Sequence, residues 1–320
     1  MKVFTTGRED LVASPTAILS EQDWADDVWS PSSKITVRDE PQSSLREKTR
    51  CSSLGCDARP AFWKKTARPV FEDGWVCSKK CALQRVTALV RKLNSPICER
   101  VGHQHRIPLG LMMLERGMVS QEQLQHALIR QRSAAEGRIG DWLQRIAGVS
   151  TENVTRALAA QWSRPVLQGA AAIKPEMALA MPASIRRLTG VLPLRVHASQ
   201  RMYAAFTDQI DHVAVAALER MTGLHVESGI AVYRDHLQGS EVLDRAHGAM
   251  EKEYMFHDMD ELSRSIVSTL FRQQPIASRL CMVHGVWWLR MWLEPAAIGH
   301  IGMLPASGED VLDVLFRRPS

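Results

Sequence analysis

A duplicated stretch constrains the fold of this chain more than any other feature. Residues 108–131 align without gaps on residues 138–161, at an offset of 30. Seven pairs are identical (Gly110/Gly140, Val119/Val149, Ser120/Ser150, Glu122/Glu152, Ala127/Ala157, Leu128/Leu158, Gln131/Gln161), where about one or two would arise from composition alone. Leu109/Ile139, Met113/Leu143 and Leu124/Val154 match in kind. Such periodicity implies one supersecondary unit used twice, neither copy being able to bury its apolar stripe alone.

Each unit reads as a short helix, a glycine turn and a second helix. Ser120 and Ser150 suit N-caps, with Gln123 placed as a capping-box partner in the first unit. Gly117 and Gly148 supply the left-handed residue that ends each short helix. Leu124, Ala127 and Leu128, then Val154, Ala157 and Leu158, form stripes of helical period through which the units pack.

Charge divides the N-terminal part in two. Residues 1–46 carry 5 Lys and Arg against 8 Asp and Glu, with much Ser, Pro and Gln, and read as a mostly disordered acidic arm. Trp24 and Trp29 in it read either as a docking motif for a partner or as a tether onto the protein's own surface. Residues 47–100 hold 12 Lys and Arg against 5 Asp and Glu, so the chain's whole basic excess, +5 overall, sits there.

That segment, taken as a domain over 47–96, also contains Cys51, Cys56, Cys77 and Cys81 in the pattern C-x4-C-x20-C-x3-C. Two close pairs separated by about twenty residues suit a tetrahedral structural zinc, each pair turning two thiolates onto one ion. Free thiols are the alternative, and disulfides fit a reducing compartment less well. Gly74 to Cys81 resembles the second knuckle of a treble-clef or zinc-ribbon finger. A helix over 82–93 would follow, with Leu83, Val86, Leu89 and Val90 on one face. Its cations are either solvated or contacts for nucleic-acid phosphates. Cys98 with His103 and His105 reads as a loop or a small metal group, and Cys281 as a buried hydrophobe.

Beyond the repeat, taken as 104–166, residues 167–245 read as a small α+β domain. Strands are expected over 191–198, 202–207 and 224–230, with a helix over 213–222 capped by Asp208 and Asp211. Residues 250–320 offer an amphipathic helix over 259–271 and a strand-like run from Val283 to Leu293. Alternation puts Trp288, Arg290 and Trp292 on one face, to cover a core or to stack bases. The fold class is therefore α+β: a duplicated helix–turn–helix bundle, then a small α+β domain, with a zinc-ribbon-like cysteine segment before them.

Several functions are excluded. No Gly-Lys pair occurs, so there is no P-loop and no ATP or magnesium site is expected. Neither G-x-S-x-G nor H-E-x-x-H is present, and an enzyme is not expected. The first residues lack the apolar core of a signal peptide, and the most apolar stretch, 285–304, contains Arg290, Glu294 and His300. A cytoplasmic protein without membrane insertion is the expectation.

The two copies read LGxxMLxRGMVSxxQLxxALxxQ and RIGxxLxxxxGVSxxxVxxALxxQ. They resemble the N-terminal domain of the type II secretion and type IV pilus assembly ATPases, general secretion pathway protein E and its MshE-like relatives. The resemblance continues through residues 159–162, 185–196, 202–208 and 217–226, covering about residues 106–240. It implies a non-catalytic regulatory or scaffold protein without the family's motor, docking on a secretion or pilus assembly component or on a regulator.

In some members the double motif binds cyclic di-GMP, an arginine opening each copy and a glutamine closing it. Carried over, the ligand positions are Arg106, Leu109, Gly110, Leu128, Gln131, Arg138, Ile139, Gly140, Leu158 and Gln161. The first copy has Pro108 where arginine is expected, with Arg106 as the candidate to reach over the gap. The spacer, residues 132–137, is one residue longer than the family's. The alternative reading is a zinc-finger adaptor that binds nucleic acid through its basic cysteine segment.

Overall fold

The computed structural model describes residues 50–59, 68–72, 74–95, 106–197, 199–294 and 304–319. Trp24, Trp29, Cys98, His103 and His105 lie outside the described residues. The architecture is α+β. Among the described residues, no helix is long and apolar enough to cross a membrane.

A short hairpin, β1 (Val70–Phe71) and β2 (Gly74–Trp75), leads into helix α1 (Lys79–Leu93). Ser78 caps α1, its hydroxyl accepting from Cys81 N. The buried face of α1 is Cys81, Ala82, Val86 and Val90, with Leu89 partly buried against the same core; of the expected stripe only Leu83 is exposed, Ala82 taking its place.

The repeat forms four helices, α2 (Leu109–Glu115), α3 (Gln121–Ala134), α4 (Ile139–Ala147) and α5 (Thr151–Gln161). The capping box forms as its residues require: Gln123 N donates to Ser120 Oγ at 3.1 Å and Ser120 N to Gln123 Oε1 at 2.8 Å. Ser150 Oγ accepts from Asn153 N at 3.2 Å. Gly117 and Gly148 stand at φ of 65° and 64°, where a Cβ would be strained. Helix α3 packs on α4, and α2 on α5.

A three-stranded sheet follows, in the order β3 (Leu192–His197), β4 (Arg201–Phe206), β5 (His225–Ile230). β3 and β4 are antiparallel; β4 and β5 run parallel, joined by helix α7 (His212–Thr222). Helix α6 (Ala183–Thr189) precedes this sheet and α8 (Tyr233–Arg245) follows it. Asp211 caps α7 through Val213 N and Ala214 N. Asp208 does not share that role; its carboxylate points to Arg138 instead.

The last unit is a four-stranded sheet, β6 (Met250–Met255), β9 (Val311–Arg317), β8 (Val286–Trp292) and β7 (Ala277–Val283) in that order, with α9 (Met259–Gln273) between β6 and β7. The run from Val283 to Leu293 is not one strand. His284 and Gly285, at φ of 47° and 79°, turn the chain between β7 and β8, and two consecutive positive φ angles make the tight hairpin whose twist matches its strands.

Both faces are covered at β8 and β9, which explains their almost unbroken apolar sequence, while the edge strand β6 is exposed and polar. Trp287, Leu289 and Met291 share a core with Phe71, Val76, Val86 and Val90 of the cysteine segment and with Ile266 and Leu270 of α9. Trp288 points the other way, into the core shared with the α+β unit and the repeat. Arg290 follows it, 1% exposed, in a bidentate pair with Asp313, which is fully buried. Its remaining donors reach Ala180 O and Leu179 O at 2.9 and 3.0 Å. Trp288 and Arg290 therefore serve the core and offer no surface for bases.

Glu72 ties three units together. Its carboxylate accepts from Leu280 N on β7 and from Arg220 Nη2 on α7, both at 2.9 Å.

Candidate functional site

Two sites emerge from the residues that sequence singled out. The first is the cysteine cluster. Cys51 and Cys56 lie on one turn, closed by Cys56 N donating to Ser53 O at 3.1 Å, with Gly55 at φ 74° inside it. Cys77 and Cys81 lie at the start of α1. The four sulfurs all fall within 4.8 Å of one another, with 3.6 Å between Cys56 and Cys77 and 3.5 Å between Cys77 and Cys81. A disulfide needs about 2.05 Å. A tetrahedral ion with metal–sulfur bonds of about 2.3 Å separates its ligands by roughly 3.8 Å. The cluster is thus placed to hold a metal ion.

Its electrostatics favour the thiolate at Cys81 alone, Cys56 and Cys77 being raised. Cys77 N points at Cys51 Sγ at 3.4 Å. The Ser78 hydroxyl, helped by the neighbouring thiols, brings Cys81 down to about 7, while burial and the neighbouring Cys81 push Cys77 up to about 12. Without a cation, one sulfur ionises and its neighbour stays protonated. Lys79 and Lys80 stand exposed in the first turn of α1, where cations oppose the helix dipole; beside a cluster of thiolates their charge is offset.

The second site is the repeat. Gln131 Nε2 donates to Gly137 O at 2.9 Å, and Gln161 Nε2 donates to Ile107 O at 2.7 Å. Donors and acceptors alike stand 30 residues apart, so each unit's closing glutamine clasps the opening of the other. A two-fold relation between the units produces this exchange. The glycines repeat the relation: a Cβ on Gly110 would meet Leu124 Cδ1 at 2.6 Å, and one on Gly140 would meet Val154 Cγ1 at 3.1 Å. Each opening helix crosses its own unit's long helix too closely for a side chain at that position.

Gly110, Gly140 and Leu158 are buried, and Leu109, Leu128, Gln131, Ile139 and Gln161 are half-buried. Leu109 reaches across to Gly140, with its Cδ2 3.6 Å from the built Cβ position. Arg138 is exposed and pairs with Asp208 Oδ2 at 2.7 Å, while its backbone N–H donates to Asp141 at 3.3 Å. The Arg106 guanidinium lies 3.1 Å from the Trp162 ring centroid, a cation–π contact. Trp162 Nε1 donates to Asp208 O at 3.0 Å. Trp162, Asp208 and Asp141 thus join the cluster without having been singled out for it. Asp141 is within reach of a capping argument, three residues after Arg138; nothing in linear order links Asp208 to Arg138.

No protein-family model matches the chain. It is 35% identical over 124 residues to bacteriophage adsorption protein B of Escherichia coli (strain K12), and equally to bacteriophage N4 adsorption protein B of Escherichia coli O157:H7. The match takes in 37% of this chain and spans only 16% of those relatives. Among solved structures, the chain is similar to MshE with cdg, at 26% identity and a TM-score of 0.36, over 42% of this chain and 98% of that one. It is also similar to the N-terminal domain of XpsE, at 18% identity and a TM-score of 0.32, over 43% of this chain and 98% of that one.

Proposed function

We propose that the chain is a non-catalytic regulatory or scaffold protein that binds cyclic di-GMP on its duplicated helices and transmits the bound state to a protein partner. The observation that carries this reading is the reciprocal clasp of Gln131 and Gln161. It places the motif residues of both copies on one two-fold platform, and cyclic di-GMP is itself two-fold symmetric. Arg138 supplies a guanidinium for a phosphate or a base edge. The partner would be a secretion or pilus assembly component or a regulator, and the setting cytoplasmic.

We further read the cysteine cluster as structural zinc. Zinc takes four thiolates tetrahedrally and has no redox chemistry of its own. Cys51, Cys56, Cys77 and Cys81 would hold it, fixing the start of α1 so that Val86 and Val90 stay on the C-terminal core.

Calorimetric titration of the zinc-loaded chain with cyclic di-GMP, beside Arg138→Ala, tests the main reading. Saturable binding at micromolar or lower concentration, weakened at least tenfold in the variant, is expected. Absence of heat at several hundred micromolar ligand would refute it.

A further inference from the structure

The scaffold of the repeat is two-fold, but its polar chemistry is not. At the opening of the second unit stand Arg138, whose side chain is 68% exposed, and Asp141. Their counterparts 30 residues earlier are Pro108 and Leu111, and Leu111 is 53% exposed beside Ile107 at 51%. One corner of the platform offers the exposed guanidinium of Arg138, braced by Asp208 at 2.7 Å, and a carboxylate; the equivalent positions of the other offer only carbon.

Arg106, two residues before the proline, does not restore the symmetry: its guanidinium lies over the face of Trp162 rather than at the position equivalent to Arg138. Its counterpart in the second unit is Glu136. A ligand with two identical halves would therefore meet two different corners.

A guanidinium reads guanine through O6 and N7 together; adenine presents N7 beside an amino donor, which repels the second contact. Proline, isoleucine and leucine contact the face of either purine and hydrogen-bond the edge of neither. We propose that this platform reads one base of its ligand and not the other, so that a cyclic dinucleotide with one guanine and one adenine binds nearly as well as cyclic di-GMP. The guanine sits at the Arg138 corner, the other purine at the corner of Ile107, Pro108 and Leu111. This inference rests on the reading of the repeat as a cyclic-dinucleotide platform.

The test is a calorimetric comparison of cyclic di-GMP, 3′,3′-cyclic GMP–AMP and cyclic di-AMP on the full zinc-loaded chain. Cyclic GMP–AMP should be weaker than cyclic di-GMP by about twofold, the factor for losing one of two equivalent orientations, and by no more than about threefold. Cyclic di-AMP should be roughly ten- to hundredfold weaker, the range of one lost bidentate base contact.

Binding of cyclic di-GMP with cyclic GMP–AMP tenfold or more weaker would mean that both bases are read, and would overturn the inference while leaving the ligand reading intact. Failure of all three ligands to bind would remove the ligand reading and the inference together. Two variants give a second measure. Pro108→Arg, at an exposed position before α2, should return discrimination against cyclic GMP–AMP to about tenfold. Arg138→Ala should bring cyclic di-GMP and cyclic di-AMP within threefold of each other. Unchanged ligand ratios in both variants, with folding verified by circular dichroism, would overturn it.

Discussion

Replacing Asp313 by alanine should destabilise the C-terminal sheet far more than a surface substitution would. The carboxylate is fully buried and accepts three bonds, from Trp288 Nε1 at 2.7 Å and from Arg290 Nε and Nη2 at 2.8 Å each. Without it Arg290, 1% exposed, keeps only the carbonyls of Leu179 and Ala180, and its charge is left in an apolar interior. Stranding one member of a buried pair costs about 3–5 kcal/mol. The double variant Asp313→Leu with Arg290→Met removes both charges and should recover part of that loss, Trp288 Nε1 and the Leu179 and Ala180 carbonyls then lacking their partners. Urea unfolding followed by tryptophan fluorescence measures both, Trp287 and Trp288 being buried on opposite faces of β8. Hydrogen exchange of β8 and β9 locates the effect. A loss under about 1 kcal/mol for Asp313→Ala, or a double variant no more stable than the single one, would refute the argument.

Gly239→Ala should cost at least about 2 kcal/mol, because its Cβ would lie 2.2 Å from the Ala170 carbonyl oxygen and 2.9 Å from Leu192 Cδ2; a thermal melt checks this. Cys77→Ser, or chelation of the proposed zinc, should release exchange protection in α9 and β8 as well as in α1, since Val86 and Val90 share a core with Ile266 and Leu289; protection lost in α1 alone would contradict that coupling. Burial holds His236 below the ordinary imidazole range, with a partly opposing bond to Gly190 O. The folded chain therefore binds fewer protons than the unfolded one, and this contribution to stability, fully present at higher pH, is lost as pH falls below the unfolded value of about 6.5. His236→Phe should flatten the stability slope below about pH 6.5.

The repeat was legible because its signals are local. Ser120, Gln123, Ser150, Gly117 and Gly148 act within one turn of their own position, and local hydrogen bonding and φ preference hold whatever the surroundings. The same holds for the four cysteines, whose close pairs need only two turns and one later meeting. Signals failed where an outcome depended on a distant neighbour. Asp208 has a credible cap spacing, yet Arg138 from another unit takes its carboxylate. The contact of Arg106 with the ring of Trp162, 56 residues away in the chain, was likewise not legible from linear order. The run after Val283 alternates well enough to pass for one strand, and His284 with Gly285 breaks it because β8 must return along β7.

Sequence alone determined that two like units pack on one another, that four thiols gather, and that no G-x4-G-K-[ST] sequence occurs among these 320 residues. Those properties follow from spacing, residue type and backbone preference, which chain order carries. Tertiary structure alone decided that the cysteine segment and the C-terminal sheet share a core, that Arg290 faces Asp313 rather than solvent, and that the glutamines clasp opposite units. Apart from the Gln131 contact with Gly137, six residues on, these join residues far apart in sequence, and such pairings are selected by the free energy of burying whole surfaces together, which no short window of sequence contains.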